Sequence, residues 1–146
     1  MYTLRVEADF AAAHFLSHYH GKCENLHGHN YRVRLWVRGE TLDGGGMLAD
    51  FGVLKKLLRE ITGGLDHSNL NDLPVFRDDP SAERIAGYIF ERAAEKFSAE
   101  HIDPSLLYAV DVYETPGAMA RYERTPRSSS PKTTAVKVRS RAPGSS

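Results

Sequence analysis

Three histidines near the N-terminus have the types and spacing of metal ligands. His27 and His29 are two residues apart at the head of a predicted strand, so their imidazole rings project from one face of it. His14 lies at the end of the preceding strand region. Three neutral imidazoles that leave a fourth position open are the ligand set of a catalytic zinc site. The three histidines are therefore a candidate Zn²⁺ site, and the alternative is an H-x-H spacing that arises by chance.

A second pair of the same spacing, His18 and His20, lies in a predicted loop and offers less rigid ligands. Cys23, the only cysteine, stands four residues before His27 and excludes an internal disulfide. Its thiolate would form readily beside a metal and act as a base or nucleophile. The alternative is a small buried apolar side chain.

Two acidic residues further along the chain are candidates for proton transfer or substrate binding. Asp66 precedes His67 in a predicted loop, and an aspartate can orient a histidine that shuttles protons. The alternative is a turn residue beside a surface histidine. Glu114 ends a predicted strand in which Val110 and Val112 share its parity. A carboxylate there can anchor an amidine-like group, or it is only an acid at the surface end of a strand.

Hydrophobic periodicity predicts the elements that position these groups. Apolar side chains alternate with arginines along residues 29–38, which indicates a strand with one buried face. Asp50 and Ser81 are suited to cap the two predicted helices. The order ββααββ predicts an α+β fold, with a four-stranded antiparallel sheet and both helices on one face. Two sheet edges remain open, so we expect an oligomer. The strands are predicted at 2–9, 29–38, 106–114 and 118–123, and the helices at 51–62 and 82–98.

The C-terminal residues differ in composition from the rest of the chain, which indicates a domain followed by a tail. Residues 124–146 hold six basic residues and no acid, and 13 of these 23 residues are Pro, Ser, Thr or Gly. Such a segment buries too little apolar surface to offset its ordering entropy, so we predict a domain at 1–123 and a disordered basic tail at 124–146. No apolar run reaches a membrane span and the N-terminus lacks a signal peptide pattern, which predicts a cytoplasmic protein without a membrane partner. Nucleic acid is not expected as a partner.

Six sequence blocks in order resemble the 6-pyruvoyltetrahydropterin synthase superfamily over about residues 2–123. C-x3-H-G-H followed by L-D-H-x2-L-N-D is highly specific. Ser81, where the family often has threonine, and the basic tail are the departures. The matching blocks are FAAAH at 10–14, CENLHGHNYRV at 23–33, DFGVLK at 50–55, LDHSNLND at 65–72, PSAE at 80–83 and VYETPGAMARY at 112–122.

The resemblance implies a tunnelling fold whose subunits form a barrel within a hexamer, with active sites at subunit interfaces. It implies conversion of 7,8-dihydroneopterin triphosphate into a 6-substituted tetrahydropterin. By similarity, zinc is held by His14, His27 and His29. Cys23 is the general base, and Asp66 and His67 form the proton relay. Glu114 anchors the guanidine-like edge of the pterin.

The family divides by product. The short N-terminus and the compact spacing between His14 and Cys23 are similar to the bacterial branch, which forms 6-carboxy-5,6,7,8-tetrahydropterin for queuosine with loss of triphosphate and acetaldehyde. The alternatives are the 6-pyruvoyl product and cleavage to 6-hydroxymethyldihydropterin for folate. The last reaction is similar to that of relatives with E-x2-H-G-H, which Glu24 also satisfies, so Glu24 is a second candidate for contacting substrate. A histidine–zinc hydrolase and a zinc-binding module without catalysis also remain open.

Overall fold

The computed structural model describes residues 1–17, 25–76 and 79–125, and it shows one sheet covered by two helices. The predicted α+β class is confirmed, and the predicted ββααββ elements occur in that order with one short strand added between the helices. The sheet has five strands instead of four, because a two-residue strand follows the first helix; so short a strand has no period for the sequence to reveal. The elements are β1 (Tyr2–His14), β2 (His27–Gly39), α1 (Phe51–Gly63), β3 (Ser68–Asn69), α2 (Ala82–Ala99), β4 (Leu107–Thr115) and β5 (Ala118–Glu123).

The sheet has the order β3-β1-β2-β4-β5 and is antiparallel except where β3 pairs with β1. β1 is five residues longer than predicted, because it continues through three alanines that are weak strand formers alone. Pairing with β2 holds this extension, and the ladder runs from Tyr2 opposite Gly39 to His14 opposite His27. The extra length carries His14 to the same end of the sheet as His27.

Both helices pack against the same face of the sheet. Asp50 and Ser81 cap them as predicted, accepting hydrogen bonds from the backbone nitrogens of Gly52 at 2.7 Å and Arg84 at 3.2 Å. Burial of the apolar side chains between the layers supplies the main stabilisation. The fully buried side chains of this core include Val33, Leu35, Leu54, Leu58, Ile85, Ile89, Phe97, Val110 and Val112. No helix in the described part of the chain is long and apolar enough to cross a membrane.

The face of the sheet away from the helices, here called the open face, carries paired charges. Asp111 is 1% exposed and accepts hydrogen bonds from Trp36 Nε1 at 2.7 Å and from Arg121 Nε and Nη2 at 2.7 and 3.0 Å. Arg32 and Asp9 form a second pair, whose side chains are 51% and 60% exposed. The same kind of ion pair therefore occurs once buried and once in solvent.

Replacing Asp111 with alanine is expected to lower the free energy of unfolding by about 3 kcal/mol, because it leaves a partly buried guanidinium and an indole N–H without their acceptor. Urea unfolding at one fixed protein concentration measures this. Asp9→Ala is the matched control and should change stability little, because that pair is solvated. Equal stability of the two variants would contradict a stabilising role for the hydrogen bonds that Asp111 accepts.

The last strand, β5, ends at Glu123, where the predicted domain also ends. The backbone nitrogen of Arg124 bonds to Tyr108 O at 3.2 Å, and its Nη2 bonds to Pro104 O at 2.7 Å. Arg124, which composition assigned to the tail, therefore contacts the folded domain. Residues 126–146, which make up most of the predicted tail, lie outside the described residues.

Candidate metal centre

The three predicted ligands come together at one end of the helix-covered face. The register of β1 and β2 places His14 opposite His27 and Ala12 opposite His29. One ring nitrogen of each histidine lies within 4.8 Å of those of the other two. His14 is buried, whereas His27 and His29 are half-buried. Three imidazoles on two paired strands are thus held by backbone hydrogen bonds and not by a loop.

Backbone carbonyls hold Nδ1 of two of these rings. His14 Nδ1 lies 2.8 Å from Pro80 O, and His27 Nδ1 lies 2.6 Å from Asn25 O. A carbonyl only accepts, so each Nδ1 donates the hydrogen bond, and in a neutral ring Nε2 is then the nitrogen with the lone pair. The two Nε2 atoms are 3.1 Å apart. Two lone pairs this close need a cation or shared proton between them, which is the arrangement of histidines that ligate a metal with carbonyls as second-layer partners.

His29 supplies the third nitrogen in the same neutral form. Its Nε2 is buried and has no hydrogen-bond partner among the described residues. Burial lowers the pKa of His29, and the neighbouring His14 and His27 act in the same direction, while Glu114 opposes them. A neutral imidazole is the form that binds metal. The donor set fits a metal with three imidazole ligands.

Tyr31 closes the site towards the core. Its ring packs edge-on against those of His14 and His29, with centroids 5.9 and 5.4 Å away, and stacks on Phe10 at 4.7 Å. Burial raises the pKa of Tyr31. This ring limits the rotation of two ligands and keeps water from their inner side.

Glu114 reaches the histidines from β4. Its Oε2 lies 3.6 Å from His14 Nε2, and the side chain is 29% exposed. Glu114 follows Tyr113, which pairs with Arg32 of β2, so sheet register brings the carboxylate to the site. A half-buried carboxylate beside three imidazoles would favour a bound cation.

The predicted Asp66–His67 pair forms at the edge of the sheet. Asp66 Oδ2 lies 2.9 Å from His67 Nδ1, and Asp66 Oδ1 accepts a hydrogen bond from Ala11 N at 2.8 Å. The Ala11 amide and, to a smaller extent, His67 lower the pKa of Asp66. His67 has φ +56° and an 84% exposed side chain. Among the described residues, no hydrogen bond or ion pair joins this pair to the three histidines.

A groove of about 680 Å³ lies on the open face, beside the same end of the sheet. Asp66, Asn30 and Arg32 line it, and none of the three histidines does. One chain therefore presents two polar regions on opposite faces of the sheet. The predicted residues Cys23 and Glu24, and the second pair His18 and His20, lie outside the described residues.

Sequence reasoning missed the groups that hold the ligands. The carbonyls of Asn25 and Pro80 orient His27 and His14, yet any residue type offers a carbonyl. The only available signal was that both residues lie inside the matched blocks at 23–33 and 80–83.

Known proteins with similar sequences span nearly the whole described domain. The family model for 6-pyruvoyl tetrahydropterin synthase matches residues 3–125. A 6-carboxy-5,6,7,8-tetrahydropterin synthase of Synechocystis is 38% identical over 127 residues, covering 84% of this chain and 93% of the relative. One from Bacillus subtilis is 34% identical and covers 83% and 84%. The human 6-pyruvoyl tetrahydrobiopterin synthase is 39% identical over 108 residues, covering 70% and 71%.

Solved structures with a similar fold carry the same family name as these sequence relatives. The structure of Caenorhabditis elegans 6-pyruvoyl tetrahydropterin synthase superposes with a TM-score of 0.75 at 33% identity, covering 85% of this chain and 96% of that one. A Plasmodium vivax 6-pyruvoyltetrahydropterin synthase gives 0.70 at 26% identity and covers 86% and 98%. These similarities confirm the predicted tunnelling fold for the single chain. On sequence, fold and the gathering of its three histidines, this chain belongs to the 6-pyruvoyl tetrahydropterin synthase family.

Proposed function

We propose that this chain is a zinc-dependent lyase that converts 7,8-dihydroneopterin triphosphate to 6-carboxy-5,6,7,8-tetrahydropterin, with loss of triphosphate and acetaldehyde. The observation that carries the proposal is the cluster of three imidazoles, in which one ring nitrogen of each lies within 4.8 Å of those of the other two. The 6-carboxy product is favoured because the Synechocystis and Bacillus subtilis relatives with that activity in their names match over more of this chain than the human one does.

The chain's own residues supply the proton steps. When bound, zinc supplies a Lewis acid that makes protons beside the substrate's side-chain hydroxyls removable. Cys23 is assigned as the base that takes such a proton, since a thiolate forms readily beside cationic groups. Asp66 holds His67 at Nδ1, which leaves Nε2 free to return a proton to the pterin ring. Pro80 and Asn25 keep the ligand rings in the metal-binding tautomer.

We further propose that the site is completed between subunits of a homohexamer. The His67 side chain is 84% exposed, and among the described residues no hydrogen bond or ion pair joins it to the histidine cluster. A relay residue must reach the reacting atoms directly or through one water. A neighbouring subunit that covers this ring would bring it to a second chain's metal.

Product analysis tests the proposed reaction. Purified, zinc-loaded protein is incubated with 7,8-dihydroneopterin triphosphate, and the products are separated and weighed by mass spectrometry. We expect the 6-carboxy product and acetaldehyde. A 6-pyruvoyl product would retain the enzyme class but refute the assigned product, and an unchanged pterin absorbance with bound zinc would refute the synthase proposal.

Glu114→Gln is expected to raise KM for substrate about tenfold with little change in unfolding, because a neutral amide cannot make the charge-assisted bonds of a carboxylate to the pterin edge. Steady-state kinetics and a thermal melt measure the two effects. Glu123→Gln, an exposed acid on β5, is the matched control. Loss of zinc with an unchanged KM would instead assign Glu114 to the metal, which its 3.6 Å approach to His14 Nε2 allows.

Cys23 and Glu24 are expected to support different reactions in one pocket. A thiolate suits proton abstraction from carbon, and a carboxylate suits the hydroxyl proton that retro-aldol cleavage removes. Cys23→Ala should abolish the 6-carboxy product yet leave measurable 6-hydroxymethyldihydropterin, and Glu24→Ala should do the reverse. Chromatography of both product mixtures measures this. If Cys23→Ala forms neither product and Glu24→Ala is fully active, Glu24 has no catalytic role.

A further inference from the structure

Asn71 lies in the turn after β3 and contacts the chain just beyond the first histidine of the cluster. The ladder between β1 and β2 ends with His14 opposite His27, so Phe15 is the first residue past it. Asn71 Oδ1 accepts a hydrogen bond from Phe15 N at 2.9 Å, and Asn71 Nδ2 donates one to Phe15 O at 3.0 Å. One carboxamide thus serves both backbone groups of Phe15, as a paired strand would.

The carboxamide is itself held in place. β3 pairs in parallel with β1 at Ala12 and Ala13, immediately before Asn71. Asn71 N bonds to Asn69 Oδ1 at 3.1 Å, and the side chain of Leu70 is fully buried. The Asn71 side chain therefore continues the hydrogen bonding between β1 and β3 beyond the last backbone pair.

The segment around residues 69–80 contacts the exit of β1 at two more points. Pro80 O binds His14 Nδ1 at 2.8 Å, and Asp79 Oδ1 accepts bonds from Ser17 N at 2.6 Å and Ser17 Oγ at 3.0 Å. Residues 14–17 are thus held by three groups from this one segment.

We propose that Asn71 is a positioning residue of the active site. By fixing the backbone of Phe15, it sets the orientation of His14. It acts through Phe15. The effect on zinc affinity rests on the geometry of the cluster alone, and the expected fall in kcat also rests on the proposed function.

Two variants separate hydrogen bonding from packing. Asn71→Ala removes both bonds, and Asn71→Asp retains the shape but turns a carboxylate oxygen towards Phe15 O. We expect each variant to lower zinc affinity by about 10- to 100-fold, the range seen when groups that orient metal ligands are removed. We expect kcat to fall by at least about tenfold with KM within about threefold, because binding of the pterin is untouched. Competition with a chromophoric chelator measures affinity in the full-length oligomer.

Asp50→Ala is the matched control, because it also removes a side-chain bond to backbone, at the opposite end of the sheet. The melting temperature of Asp50→Ala should fall by about as much as that of the Asn71 variants. Its zinc affinity and kcat should stay at wild-type values. Wild-type zinc affinity in the Asn71→Asp protein, or equal losses of affinity in Asp50→Ala, would overturn the proposal. If the wild-type protein turns over no pterin, the proposed function fails, and the zinc comparison still decides the role of Asn71.

Discussion

Replacing His29 with alanine is expected to remove zinc and catalysis together. The zinc content should fall below about a tenth of the wild-type value, because two imidazoles alone hold the ion weakly. Turnover should fall by about a thousandfold or more, since the Lewis acid is lost with the ion. His29 is the sharpest choice because its Nε2 is buried and has no other partner among the described residues, so its removal breaks no existing hydrogen bond of that atom. Metal analysis of dialysed protein and the product assay measure the two effects.

His101→Asn is the matched control for this experiment. His101 is exposed after α2 and has φ +60°, a conformation that asparagine tolerates. This variant should retain zinc and activity, and circular dichroism should show both proteins folded. Full zinc in the His29→Ala protein would remove His29 from the ligand set and make His18 or His20 the next candidate.

Mixing two inactive variants, His29→Ala and His67→Ala, is expected to restore activity. The first keeps the relay but lacks a ligand, and the second keeps the ligands but lacks the relay. If each site takes its ligands from one subunit and its relay from the neighbour, random exchange within a closed symmetric oligomer leaves about a quarter of the sites complete. The rise from background to about a quarter of wild-type turnover is measured after mild dissociation and reassembly.

Each variant carried alone through the same dissociation and reassembly is the control and should stay inactive. Mass spectrometry of intact oligomers must show mixed species. Mixed oligomers without activity would place ligands and relay in the same subunit, and the exposed ring of His67 would then need another explanation.

The sequence predicted the elements because burial imposes a period. Alternation along β2 and the apolar stripes of α1 and α2 located these elements to within about two residues at most ends, which is the usual scatter of such boundaries. The end of β1 was missed because Ala11, Ala12 and Ala13 are weak strand formers, and their pairing with β2 overrides that preference. β3 was missed because two residues show no period and are held only by β1.

The sequence by itself determined which residue types carry the chemistry, since H-x-H on a strand must place two rings on one face and Asp66 adjoins His67 in the chain. Contacts between residues that are close in the chain can therefore be predicted from the sequence. The tertiary structure alone decided that His14 meets these rings, that Glu114 lies 3.6 Å from His14, and that Pro80 and Asn71 hold the exit of β1. These contacts join residues 13 to 100 positions apart, and register between strands sets those of His14 with His27 and Glu114. A one-residue slip would turn every such side chain to the other face of the sheet.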